Sequence, residues 1–135
     1  MEILSKPCGE LLTNCYIYKT KDYEIIIDPG YNALEWIKDN VKNPIVILNT
    51  HGHFDHIWDN AKVKEYYNIP IYVHQDDNFL LEKDIFSRGM PVSKADVLVD
   101  NEDVIQDYNE DIKFIHMPGH TPGCCIVQVG DVVFS

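Results

Sequence analysis

At 135 residues the chain has the length of one domain, 1–135, and its 45% hydrophobic and 11% aromatic content suits a globular core rather than disorder. Acidic residues number 22 against 11 basic ones, for a net charge of −11, and the scattered Lys and Arg offer no basic face for displacing counterions, which argues against nucleic acid as a partner. No apolar run reaches membrane-spanning length and the opening Met1 to Pro7 lacks the apolar stretch of a signal peptide, so a soluble, cytoplasmic protein is expected.

Thr13 to Lys19 and Tyr23 to Asp28 are short runs rich in Ile and Tyr on either side of the polar Thr20-Lys21-Asp22, which predicts an antiparallel hairpin. Asn32 is placed to cap a helix whose apolar positions Leu34, Ile37 and Val41 follow helical spacing, with Pro44 marking its exit. Ile45 to Asn49 carries the uninterrupted apolar run expected of a strand covered on both faces.

Directly after that run comes Thr50-His51-Gly52-His53-Phe54-Asp55-His56, which packs three histidines and a carboxylate into seven residues at the carboxyl end of a predicted strand. Imidazole nitrogen and carboxylate oxygen are ligands that zinc accepts, and catalytic zinc sites take three protein ligands and keep a position for water. His51 and His53, two apart on an extended or turning segment, can point the same way. Asp55 and His56, at the start of a helix, can face a second ion from the other side.

Ile57 to Tyr67 reads as a helix, Ile69 to Val73 as the next buried strand, and Gln75 to Lys83 as a further helix with Phe79 and Leu80 toward the core. His74, at the strand's end, reads as structural or as a support for the ligands. Residues 84–100 are the least legible; Gly89-Met90-Pro91 must break any helix, and the loop either shapes a substrate pocket or connects. Asp111 to His116 alternates as a strand, and Cys124 to Val129 pairs with Val132 to Phe134 across the tight turn Gly130-Asp131. The four cysteines have no Cys-x-x-Cys spacing and read as small buried residues.

The seven-residue histidine motif resembles the signature of the metallo-β-lactamase-fold hydrolases. Thr13-Asn14-Cys15-Tyr16-Ile17-Tyr18 and Ile25-Ile26-Ile27-Asp28-Pro29-Gly30 resemble that superfamily's opening strands and Asp-Pro-Gly turn, and Met117-Pro118-Gly119-His120-Thr121-Pro122-Gly123 is similar to its second histidine motif. The likeness covers essentially the whole chain and is strongest to the small glyoxalase II-like (hydroxyacylglutathione hydrolase-like) members. It implies an α/β fold, a four-layer αββα sandwich, of which this chain supplies the first half and the start of the second. It also implies that His51, His53 and His120 bind the first metal, while Asp55 and His56 belong to the second. Asp28 would be either a residue that orients ligands or a turn aspartate before Pro29-Gly30. His116, four residues before His120 with Pro118 and Gly119 between, reads as structural or a support near the site, or as a substitute for a missing ligand.

The chain stops at Val132-Val133-Phe134-Ser135, where the family continues with Gly-Asp, so five of seven expected ligands are present and the two missing ones serve the second ion. The resemblance therefore implies a truncated chain whose sheet is completed by a missing C-terminal segment or a second copy. The implied activity is hydrolysis of a thioester or other ester-like bond in a small molecule by a metal-bound hydroxide, with Asp55 orienting or deprotonating the nucleophile. One or two zinc ions are expected, with iron or manganese as substitutes. The alternatives are a mononuclear iron persulfide dioxygenase-like oxidoreductase, with His51 and His120 among its ligands, and a metal-binding fragment without turnover. The acidic surface is awkward for an anionic substrate unless metals and a local cation offset it.

Overall fold

The structure is a computed structural model and describes residues 1–101 and 103–135. Its first sheet has six strands in chain order: β1 (Glu2–Cys8), β2 (Thr13–Lys19), β3 (Glu24–Ile27), β4 (Pro44–Leu48), β5 (Ile71–His74) and β6 (Val97–Val99). Strands β1 to β3 are antiparallel, and β3 to β6 run parallel. The expected hairpin is present, with Tyr16 opposite Ile27, and the Thr20 hydroxyl tightens its turn by accepting the N–H of Tyr23 at 3.0 Å. β1 was not legible as a strand because its side chains are mostly exposed; it is an edge, and Lys6 and Pro7 suit an edge that should not recruit another chain.

Parallel neighbours need crossovers, and α1 (Ala33–Asn40), α2 (Phe54–Ile57), α3 (Asn60–Tyr67) and α4 (Asn78–Glu82) lie in them. Three local expectations are corrected. Asn32 does not cap α1: it sits at φ 62 with no side-chain cap bond, and the N–H of Leu34 goes instead to Asp59 Oδ2 at 3.0 Å. Asp59 breaks the helix expected over Ile57 to Tyr67 into α2 and α3, since it reaches across to α1 while its own N–H bonds Pro29 O at 3.0 Å. Gln75–Asp77 is a 3-10 turn, so α4 begins later than expected and its buried face falls on Leu80 and Leu81, leaving Phe79 exposed.

The second sheet is antiparallel, in the order β10 (Val132–Phe134), β9 (Cys125–Val129), β8 (Ile112–His116), β7 (Val104–Ile105). Period-two alternation divides the core. Tyr18, Ile25, Ile27, Val46 and Leu48 face Ile112, Phe114, Val127 and Val129 of the second sheet. Ile17, Ile26, Ile47, Ile71 and Val73 face the helices through Ala33, Ile37, Ile57, Val63 and Leu81. Helix, sheet and sheet are thus three layers of the αββα order. Among the described residues no helix covers the far face of the second sheet, where Lys113, Ile115, Ile126, Gln128 and Val133 stand. No helix of the described residues is long and apolar enough to cross a membrane.

Candidate metal centre

The loop after β4 is held by the end of β3. Asp28, buried at φ 53, accepts the Thr50 N–H at 2.8 Å on one carboxylate oxygen and the Thr50 hydroxyl at 2.6 Å on the other. The same hydroxyl oxygen lies 3.1 Å from His51 Nδ1. A hydroxyl has one proton, and here it goes to the carboxylate, so the hydroxyl accepts from His51 Nδ1–H. That tautomer leaves the Nε2 lone pair bare, and Nε2 of His51 is buried without a hydrogen-bond partner.

An orphaned buried nitrogen is costly unless something is meant to bind it. His53 and His120 meet it: one ring nitrogen from each of the three histidines lies within 4.8 Å of the others. His53 Nδ1 and His120 Nε2 are 3.1 Å apart. Two nitrogens on one tetrahedral zinc, each at ~2.0 Å, stand roughly 3.3 Å from one another, so the donor set and its spacing fit zinc. Burial, reinforced by the neighbouring His56, lowers the His51 pKa to about 4 against the opposing charge of Asp28. Burial and the adjacent His120 lower that of His53 as well. Both imidazoles are therefore neutral near pH 7, the form a metal needs.

One residue that the sequence did not single out holds the two histidine loops together. Asp77, fully buried, accepts the Gly52 N–H at 2.8 Å, the Thr121 hydroxyl at 2.6 Å and the Gly123 N–H at 2.6 Å. A Cβ on Gly123 would lie 2.7 Å from the Asp77 nitrogen. Glycine beside both histidine motifs was the only hint in the sequence of such a close approach. The Cys125 N–H, bonded to Thr50 O at 2.8 Å, adds a backbone seam between the loops.

Asp55 and His56, on the first turn of α2, form a neighbouring pair rather than joining the three-histidine group. His56 Nδ1 bonds Asp28 Oδ2 at 2.9 Å, and its Nε2 is 3.5 Å from Asp55 Oδ2, which also accepts the Thr13 hydroxyl at 2.5 Å. Burial alone would lower the His56 pKa, but the Asp28 hydrogen bond and charge, with Asp55, outweigh it and raise it. Of the two readings of Asp28, the geometry favours orientation, since one carboxylate fixes both Thr50 and His56. His74 and His116 stack at 4.1 Å with 11° between rings. Nε2 of His74 bonds Asn101 Oδ1 at 2.8 Å, its Nδ1 accepts the Asp76 N–H at 3.0 Å, and His116 Nε2 donates to Pro122 O at 2.7 Å. With those nitrogens committed, the pair braces the sheet ends. The cysteines are free, three of them buried.

The profile of the Metallo-beta-lactamase superfamily matches residues 8–134. The chain is 31% identical to the probable metallo-hydrolase YqgX of Bacillus subtilis, over 96% of this chain and 70% of that protein. It is 30% identical to the hydroxyacylglutathione hydrolase GloC of Haemophilus influenzae, over 100% of this chain and 73% of that protein. Among solved structures, the BLEG-1 B3 metallo-beta-lactamase superposes with a TM-score of 0.85 at 29% identity, covering 95% of this chain and 67% of that one. The chain is short relative to these proteins.

Proposed function

The chain belongs to the metallo-beta-lactamase superfamily, and we propose from that premise that it hydrolyses a thioester or comparable ester-like bond in a small molecule, with His51, His53 and His120 holding a zinc ion. The observation that carries this reading is the bare, buried Nε2 on His51, a residue whose ring gathers with those of His53 and His120. Bound zinc supplies Lewis acidity and lowers the pKa of water to near neutrality.

The remaining work falls to side chains of this chain. Asp28 and Thr50 keep the Nδ1 proton on His51, so the nitrogen that faces the site stays a lone-pair donor. Thr13 pins one oxygen of Asp55 and leaves the carboxylate partly exposed toward the cleft, where it can orient a water and accept its proton. His56, turned by Asp28 so that Nε2 faces Asp55, offers with it two donor atoms 3.5 Å apart, a separation that suits shared binding of a second ion. No serine or cysteine nucleophile is required.

The likeness to BLEG-1 favours a second reading, the amide bond of a β-lactam, on the same residues. One experiment tests both. The purified chain and its His120→Ala variant are analysed for zinc per chain, then assayed with a hydroxyacylglutathione thioester and a chromogenic cephalosporin. About one equivalent of zinc lost in the variant, with thioester hydrolysis lost alongside it, supports the proposal. Metal-bound chain that cleaves only the lactam favours the second reading, and metal-free folded chain overturns both.

A further inference from the structure

Arg88 is the only arginine in the sequence, and it lines a cleft together with Phe54 and Asp55, which follow His53 in the chain. That cleft, about 620 Å³ in volume, is lined by Leu11, Phe54 and Trp58 together with Glu10, Asp55 and Arg88, so its lining sets apolar and aromatic side chains beside charged ones, the proton-accepting carboxylate among them. The guanidinium carbon lies 4.7 Å from the centre of the Phe54 ring, which orients the group without neutralising it. Among the described residues Arg88 makes no ion pair.

The backbone around it is fixed in an unusual conformation. Asp84 accepts the N–H of Arg88 at 3.1 Å and of Gly89 at 2.7 Å on its carboxylate, and that of Ser87 at 3.0 Å on its carbonyl. Ser87 is held at φ 52, a region L residues rarely adopt. Phe86, next to it, packs at 5.7 Å from the Phe54 ring and 5.9 Å from that of the ligand His53. The loop thus ties the position of the lone guanidinium to that of a metal ligand.

We propose that this cleft seats the non-reacting arm of the substrate, that the arm is apolar and ends in a carboxylate, and that Arg88 is the residue that recognises it. One guanidinium matches one carboxylate through two parallel hydrogen bonds. A phosphate dianion would keep unmatched charge beside Glu10 and Asp55, which line the same cleft. In a chain of net charge −11, a single placed cation is also what admits an anionic group against the overall field. The inference rests on the hydrolytic reading above.

Two measurements on the 135-residue chain test it separately from that reading. The first is hydrolysis of paired thioesters with one apolar acyl group, leaving 3-mercaptopropionate or its neutral amide. The second is calorimetric binding of 4-phenylbutyrate against 4-phenylbutyramide, which needs no turnover. The expected result is an acid-over-amide preference on the order of tenfold in both, carried by KM in the first, falling to near unity in Arg88→Ala and partly kept in Arg88→Lys. A carboxylate sitting on the metal instead would keep its preference in Arg88→Ala, and that result, or equal binding of acid and amide by the parent chain, overturns the proposal. Arg88-dependent binding without any hydrolysis would leave the carboxylate site standing and overturn the hydrolase.

Discussion

The buried carboxylate of Asp77 and the hydroxyl of Thr121, 44 residues apart in the chain, are joined by a hydrogen bond of 2.6 Å. The same carboxylate holds the N–H groups of Gly52 and Gly123, so replacing it strands three donors at once. Asp77→Ala is expected to cost on the order of 3 kcal/mol of stability, at ~1–3 kcal/mol for each buried donor left unpaired, with partial compensation by water. Urea denaturation measures it. Asp77→Asn, which keeps the shape and two acceptor directions, should cost less, and a fully stable Asp77→Ala would remove the clamp from the account of the site.

Thr50→Val keeps the volume of the side chain and removes the oxygen between Asp28 and His51. His51 then loses the partner that fixes its tautomer, and zinc affinity is expected to fall roughly 10-fold to 100-fold, the range for a lost ligand-orienting contact. Competition with a chromogenic chelator gives the number. Affinity equal to that of the parent chain would mean that His51 is oriented by packing alone.

The metal-free chain should lose stability as pH falls from about 6.5 to about 4. His51, with its folded pKa lowered to about 4, binds a proton in the unfolded chain through that window while the folded chain refuses it, and His53, also lowered, adds in the same direction. His56 is raised, so its contribution is complete below about 6.5 and is lost only as pH rises through its folded value; it does not offset the acid loss. For His51 alone the change is ~2–3 kcal/mol. Urea midpoints of chelator-treated chain at pH 7 and pH 4.5 measure it, and His51→Asn should flatten the profile.

Gly123→Ala places a methyl 2.7 Å from the Asp77 nitrogen and 2.8 Å from its Cγ. Neither backbone nor clamp can yield cheaply, so a loss of about 1–3 kcal/mol is expected, with weaker zinc retention because His120 moves with the loop. Gly119→Ala is the contrast: nothing lies within 4 Å of its added methyl, so any loss there comes from its φ of 152°, a backbone conformation that L residues rarely adopt, and not from crowding. Thermal melting of the two variants, with and without zinc, sets crowding against the Asp77 clamp beside backbone strain without crowding.

Much of this was legible because pattern and packing agree. The alternation in Thr13 to Lys19 and the apolar run before Thr50 gave strands where burial on one or both faces demanded them. That His120 joins the histidine cluster was legible only through the likeness of its motif, since nothing in its spacing from His51 says that the two meet. What escaped was long-range polar contact. Asp59 capping α1 from 25 residues away, and Asp77 binding backbone groups on two loops, leave no periodic trace in the sequence. β1 escaped for a related reason: an edge strand with exposed side chains has no hydrophobic period to reveal it.

His51 and His53 hang from the end of the first sheet, and His120 from a loop between two strands of the second, with Cys125 bonded to Thr50 across the gap of 75 residues. Among the described residues, neither sheet alone brings three such side chains together. The cage can close only after the two sheets have docked through Phe114, Val127 and their partners, which ranks among the slowest kinds of contact for a chain to find. A metal held by these three histidines would therefore be captured at the end of folding rather than its start, and an ion arriving early would find two histidines on a nascent sheet and bind there weakly and reversibly.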